Sequence, residues 1–167
     1  DSSYKAGARD WNWIKWKQDY MTDVVDTLDL VIVGAFYGKG KRSGNYGSLL
    51  CATYNPENDT FETVTKLGSG MTDKNLEELP TLLDKHKVDK KPVRVIAKKE
   101  MFPDVWFEPS IVVEVLSAEI TRGNMHTCSK IDGKGLALRF PRFIMIRENK
   151  SSEQANTSQE LQHLYEK

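Results

Sequence analysis

The stretch from Leu28 to Tyr37 constrains the fold of this chain more than any other. Leu30, Val31, Ile32 and Val33 form a near-continuous apolar run rich in β-branched residues, and side chains of that shape favour a pleated strand over a helix. The segment Gly38–Gly47 follows, with four glycines and the cations Lys39, Lys41 and Arg42. A second strand is expected over Ser48–Tyr54, a turn at Asn55-Pro-Glu-Asn-Asp59, and a third strand over Thr60–Leu67.

Gly68-Ser-Gly70 then leads into a helix expected from Asp73 to Lys87, with Thr72 as its cap and Leu76, Leu79 and Leu83 on one face. Pro80 lies inside that pattern and is expected to kink or split it. Further strands are expected near Val93–Ile96, more strongly over Ile111–Ile120, and last over Leu136–Phe140. Three strands, a helix and two main strands make a mainly β fold in the order of an OB-fold, a five-stranded Greek-key barrel with a helix between strands 3 and 4. The strand at Val93 is then an insertion. After the barrel, Thr157 with Glu160 forms a capping box, and Leu161, Leu164 and Tyr165 share one face of a C-terminal helix expected to dock back on the chain.

A chain of 167 residues, 39% of them hydrophobic, can bury one core. It has no run of 18 apolar residues and no signal-peptide pattern at its start, so a soluble, unexported protein or a fragment of one is expected. Two cysteines are too few for a disulfide scaffold, which favours a reducing compartment. His126 and Cys128 lack neighbours that would complete a four-ligand metal set. The formal net charge of zero conceals segregation, because acids dominate residues 56–86 while Lys134, Arg139, Arg142, Arg147 and Lys150 face only Glu148 in the stretch 133–150. A molecule with one basic face follows.

Three places combine charge with shape. In Trp11-Asn-Trp-Ile-Lys-Trp-Lys17, alternation puts Trp13, Lys15 and Lys17 on one side of an extended strand. That geometry suits a nucleotide phosphate, and it equally suits an edge strand protected by lysines. Lys39, Lys41 and Arg42 can follow a phosphate backbone or decorate a hairpin tip. Arg139-Phe140-Pro141-Arg142-Phe143 sets guanidinium forks beside aromatic rings, offering phosphate contacts and apolar wedges together, although a core strand with a basic edge reads the same way.

Two separated stretches resemble a known family. Trp13-Ile-Lys-Trp-Lys-Gln-Asp-Tyr20 resembles motif V of ATP-dependent DNA ligases, and Leu138-Arg-Phe-Pro-Arg-Phe143 followed by Arg147-Glu-Asn-Lys150 is similar to their C-terminal motif VI region. Between them, Asp26-Thr-Leu-Asp-Leu30, the segment Gly34–Arg42 and Lys66-Leu-Gly-Ser-Gly70 fall where archaeal and replicative-type ligases have similar segments. The resemblance implies that residues 1–22 are the last strand of an adenylation domain and a hinge, 23–150 the OB domain ending in motif VI, and 151–167 a helical tail. The polar connector from Asp19 to Asp26 is the candidate hinge.

By that resemblance Lys15 and Lys17 are the lysines that contact the nucleotide α-phosphate, and Arg147 and Lys150 approach the pyrophosphate while the enzyme adenylates itself. These four are the catalytic and cofactor-binding candidates, since phosphoryl transfer asks the protein mainly to position reactants and neutralise charge on oxygen. Lys39, Lys41 and Arg42 are expected on DNA backbone phosphates, and Arg139, Phe140 and Arg142 at the minor groove. The implied full-length enzyme seals nicked double-stranded DNA through a lysyl-AMP and a DNA-adenylate, using ATP and Mg2+, neither expected bound to this chain, which lacks the nucleophilic lysine. Implied partners are the adenylation and N-terminal DNA-binding domains, with a sliding clamp as a further candidate and no membrane. Implied locations are the cytoplasmic nucleoid of an archaeon or the nucleus of a eukaryote.

One position departs from the family pattern: motif VI usually reads Arg-x-Asp-Lys, and Asn149 stands in place of the acid. Lys130-Ile-Asp-Gly133 matches the family's Lys-x-Asp-Gly nucleophile pattern, but it follows motif V where the nucleophile should precede it, and it is expected in a loop before the last barrel strand. An RNA ligase or capping-type nucleotidyltransferase combines similar motifs with an OB domain. A free-standing OB module would bind single strands through aromatics on the barrel face, and an interaction module would carry a clamp-binding peptide, which the sequence does not display.

Overall fold

The computed structural model describes residues 27–38 and 45–166. The expectations for Lys15, Lys17, the Asp19–Asp26 connector, Lys39, Lys41 and Arg42 lie outside them.

Strand β1 (Thr27–Tyr37) is buried from Leu28 to Ala35. It has a core on each side, which is why its sequence is apolar without strict alternation. Leu28, Leu30 and Ile32 pack with Leu49, Cys51, Val64, Val115 and Leu136 inside the barrel. Val31 and Val33 pack outward with Leu50, Phe61, Val95 and Met101. Strands β2 (Tyr46–Asn55) and β3 (Thr60–Leu67) continue the antiparallel meander. The helix α1 (Asp73–Leu83) follows, with the Asn75 N–H donating to Thr72 Oγ1 at 3.1 Å and the Thr72 N–H to Asn75 Oδ1 at 2.9 Å. Leu79 and Leu83 are fully buried, contributing about 2 kcal/mol each.

The helix runs through Pro80 and stops at Leu83, short of the expected Lys87. Proline fixes φ near the helical value, so the last turn survives it. The 3₁₀ turn Asp84–His86 then delivers Lys87 to β4 (Lys87–Val88), where pairing with β6 (Val105–Phe107) ends the helical course. The insertion expected at Val93 is this whole segment. With β5 (Val95–Ile96), which pairs parallel to β3, it forms the outer apolar layer over β1.

The strand expected over Ile111–Ile120 is two strands, β7 (Val112–Leu116) and β8 (Glu119–Gly123), broken at Ser117–Ala118. The first half pairs with β1 and the second with β10 (Lys134–Arg139). A strand that changes sheets in this way turns a barrel corner, and Ser117 marks the bend by donating to Arg139 O at 3.1 Å. Two further strands were not expected: β9 (Cys128–Ile131), which pairs with β10, and β11 (Arg142–Ile146), which follows what was read as the last strand and pairs with β7. Thr65 Oγ1 donates to Leu138 O at 3.1 Å, linking β3 to β10 across the barrel.

The C-terminal helix α2 (Ser158–Glu166) packs onto the barrel through the fully buried Leu161. Its capping box forms as read, the Thr157 N–H donating to Glu160 Oε1 at 2.8 Å and the Glu160 N–H to Thr157 Oγ1 at 3.1 Å. Arg122 binds Gln162 Oε1 at 2.5 Å and lies over the Tyr165 ring at 5.4 Å. No helix among the described residues is long and apolar enough to cross a membrane.

Candidate functional site

The two ends of β11 carry different cationic arrangements. At its start, the connection from β10 is compressed into Phe140 and Pro141, because Arg139 O is held by both the Ala118 N–H at 3.2 Å and the Ser117 hydroxyl at 3.1 Å. Phe140 therefore adopts φ +54°, the left-handed region that a ring-bearing residue rarely occupies, and the residue is 67% exposed. The Arg139 guanidinium lies 4.9 Å from the ring centre, a cation–π contact that keeps the charge beside the ring. Arg142, exposed at the first position of β11, completes the group. Its backbone is set from the other side by the Gly68-Ser-Gly70 turn, whose Ser69 O accepts the Phe143 N–H at 2.8 Å. The three residues expected at a minor groove thus sit together at one corner of the barrel.

At the far end of β11, Arg147 and Lys150 converge. The Lys150 N–H returns to Arg147 O at 3.2 Å, a tight turn that brings both side chains to one place. Lys150 Nζ donates to Asp29 Oδ2 at 2.5 Å. Arg147 Nη1 lies 3.4 Å from Asp29 Oδ1 and 3.5 Å from Glu114 Oε1. Asp29 and Glu114 are register partners on β1 and β7. Two carboxylates directly opposite each other repel, and Arg147 between them relieves that repulsion. Asn149 is exposed; the carboxylates that meet the cations come from elsewhere in the chain.

Reading the sequence missed Asp29 and Glu114. The signal was present, since each is an acid inside an otherwise apolar strand, Leu28-Asp-Leu-Val31 and Val112-Val-Glu-Val115, where a charge stays only with a partner.

The remaining candidates fall outside both groups. Lys130 lies on β9, and its Asp132 and Gly133 are a hairpin turn, with φ +52° and +80°, between β9 and β10. The pattern expected in a loop is thus a strand end and an Asp-Gly hairpin turn, for which such φ values are the ordinary requirement. His126 and Cys128 are core residues: His126 Nδ1 meets Thr63 Oγ1 at 3.3 Å, and the Thr53 hydroxyl donates to Cys128 Sγ at 3.3 Å. Burial, with Lys98 adding to it, depresses the imidazole to a pKa of about 4. Among the described residues no three His, Cys, Asp or Glu side chains are grouped to hold a metal.

The model of the family described as the ATP dependent DNA ligase C terminal region matches residues 42–150. This chain belongs to that family. The ligase region is 51% identical over 170 residues to a DNA ligase of Sulfophobococcus zilligii, covering 100% of this chain and 28% of the relative. It is 50% identical over 169 residues to a DNA ligase of Hyperthermus butylicus, covering 99% of this chain and 28% of that relative. The chain therefore spans little more than a quarter of these ligases. In structure it is similar to the ligase domain of M. tuberculosis LigD, with a TM-score of 0.61, 23% identity, and coverage of 80% of this chain and 39% of that one. A mycobacterial DNA ligase D complexed with ATP and MES gives a TM-score of 0.57 at 22% identity, covering 80% of this chain and 38% of that one. These likenesses support the OB-type barrel of the ligase region.

Proposed function

We propose that this ligase region serves a nick-sealing, ATP-dependent enzyme in two ways: it holds duplex DNA with the Arg139–Phe140–Arg142 corner, and it presents Arg147 and Lys150 to the triphosphate when the active-site lysine is adenylated. The observation that carries the reading is that one short strand, β11, separates these groups, with Arg142 at its first position and Arg147 immediately after its last. Five strand residues span roughly 15 Å. Two cationic groups so placed serve two ligands more readily than one, and the domain must turn between them.

At the DNA corner a nick sealer must bind without regard to sequence. Guanidinium groups on phosphates and a ring lodged in the groove provide that, because they read charge and shape rather than base edges. Lys39, Lys41 and Arg42 are assigned to DNA backbone phosphates, and Lys15 and Lys17 to the α-phosphate. At the other end, an arginine fork and an ammonium side by side match pyrophosphate oxygens. ATP supplies the adenylyl group; Mg2+ is not placed in this region, and no step here runs through it.

The test uses the full-length ligase. Phe140→Ala should weaken sealing of nicked duplex while leaving lysyl-AMP formation from labelled ATP intact. Arg147→Ala and Lys150→Ala should slow lysyl-AMP formation severely, to a residual but measurable rate, while sparing closure of a nick that already carries AMP. Equal loss of both steps in all three variants would sink the division of labour.

A further inference from the structure

We propose that Asp29 is the positioning residue of the Arg147–Lys150 pair, an inference that rests on the assignment of that pair to the triphosphate. Its two carboxylate oxygens are divided between the cations, Oδ2 taking Lys150 at 2.5 Å and Oδ1 facing Arg147 at 3.4 Å. Among the described residues the guanidinium is engaged only through Nη1. Its Nε–Nη2 edge and the further N–H groups of Lys150, unbonded to any described residue, are the donors this proposal gives to phosphate oxygens. The side chains are 27% and 32% exposed, so each is anchored from within and stays partly open to solvent.

Asp29 is itself fixed. The residue is 9% exposed, its N–H donates to Asn156 Oδ1 at 2.7 Å, and its carbonyl accepts the Asn156 N–H at 2.8 Å. The segment leading into α2 thus grips the backbone of β1 at the residue whose carboxylate grips the cations. Without a shared anion, two neighbouring cations on long, flexible side chains repel and splay, and the arriving ligand must order them. Asp29 and Glu114 together cancel the two positive charges, so the carboxylates do not raise attraction for phosphate. What Asp29 supplies is geometry, and its removal should slow the step more than it weakens binding.

The experiment compares full-length wild-type ligase with Asp29→Asn. The maximal rate of lysyl-AMP formation should fall on the order of tenfold to a hundredfold. The apparent KM for ATP should stay the same or fall, and closure of a preadenylated nick should decline far less. An unchanged rate of lysyl-AMP formation, or an equal fall in both steps, would overturn the proposal. Asp29→Asn combined with Lys150→Ala should be no slower than Lys150→Ala alone, and multiplied losses would count against action through that lysine. If Asp29→Asn loses its cooperative melting transition, Asp29→Glu takes its place, with a lesser defect than Asp29→Ala expected and an equal one contradicting the idea. If Arg147→Ala and Lys150→Ala both retain the wild-type rate of lysyl-AMP formation, the underlying assignment fails, and this inference with it.

Discussion

A Cβ built on Gly70 would lie 2.6 Å from Cγ of Arg142, and 2.7 Å from the backbone nitrogen of Phe143. Gly70 also has φ +90°, so a side chain there is opposed by its own backbone as well as by β11. Gly70→Ala should destabilise the chain by roughly 2 kcal/mol or more, measured by urea unfolding. Because the displaced residue is Arg142, affinity of the full-length ligase for nicked duplex should fall as well. A stable Gly70→Ala variant with unaltered DNA affinity would show that the turn does not set the corner.

Phe140 carries the opposite bargain. Its left-handed backbone costs a non-glycine residue about 1 to 2 kcal/mol, while a residue 67% exposed returns little burial. Phe140→Gly should therefore melt at a higher temperature than Phe140→Ala, by the equivalent of about 1 kcal/mol. Both variants should lose nick binding to a similar extent. Equal stability of the two would mean that the turn relaxes when the ring is removed.

His126 makes stability depend on mild acid. Its folded pKa of about 4 lies below the ordinary value of 6.5, through burial first and Lys98 second. The unfolded chain consequently binds the proton more readily. The contribution is complete above pH 6.5 and is lost as pH falls toward 4, amounting to about 3 kcal/mol in all. Between pH 7 and 5.5 the chain should lose about 1 kcal/mol from this group. Denaturant titrations at the two pH values, with His126→Asn as the reference lacking the imidazole, measure the difference. A slope unchanged in His126→Asn would assign the acid sensitivity to the carboxylates.

The two thiols should be inert in the folded chain. Cys51 and Cys128 are both 0% exposed, and burial raises both, Cys128 to about 12 even with Thr53 and Ser158 hydroxyls pulling the other way. A thiolate-trapping reagent should label neither in native buffer and both in denaturant. Rapid native labelling of Cys128 would mean that α2 and β9 open without global unfolding.

Much of the barrel was legible because its signals are local. The β-branched run of β1, the Thr72 and Thr157 caps and the leucine spacing of α1 each draw on contacts within a few residues. The extra strands β9 and β11 were not, since four or five residues beside a turn carry no period of their own. The overlong helix failed for a related reason: Lys87 fits a helical pattern, and its pairing with Phe107 on β6 decides otherwise.

The candidate site divides in the same way. By itself the sequence singled out the candidate cations and the rings among them, since Arg139, Phe140, Arg142, Arg147 and Lys150 crowd into one short stretch. Only the tertiary structure decided what they face. Ser117, bound to the Arg139 carbonyl 22 residues away, turns Phe140 outward, and Asp29, 118 and 121 residues before Arg147 and Lys150, holds that pair. Contacts across such separations exist only after the barrel has closed, because closure brings β1 and β7 together and sets the buried Asp29 and the half-buried Glu114 beside the end of β11. Until then each acid is only a charge in an apolar strand that requires a partner.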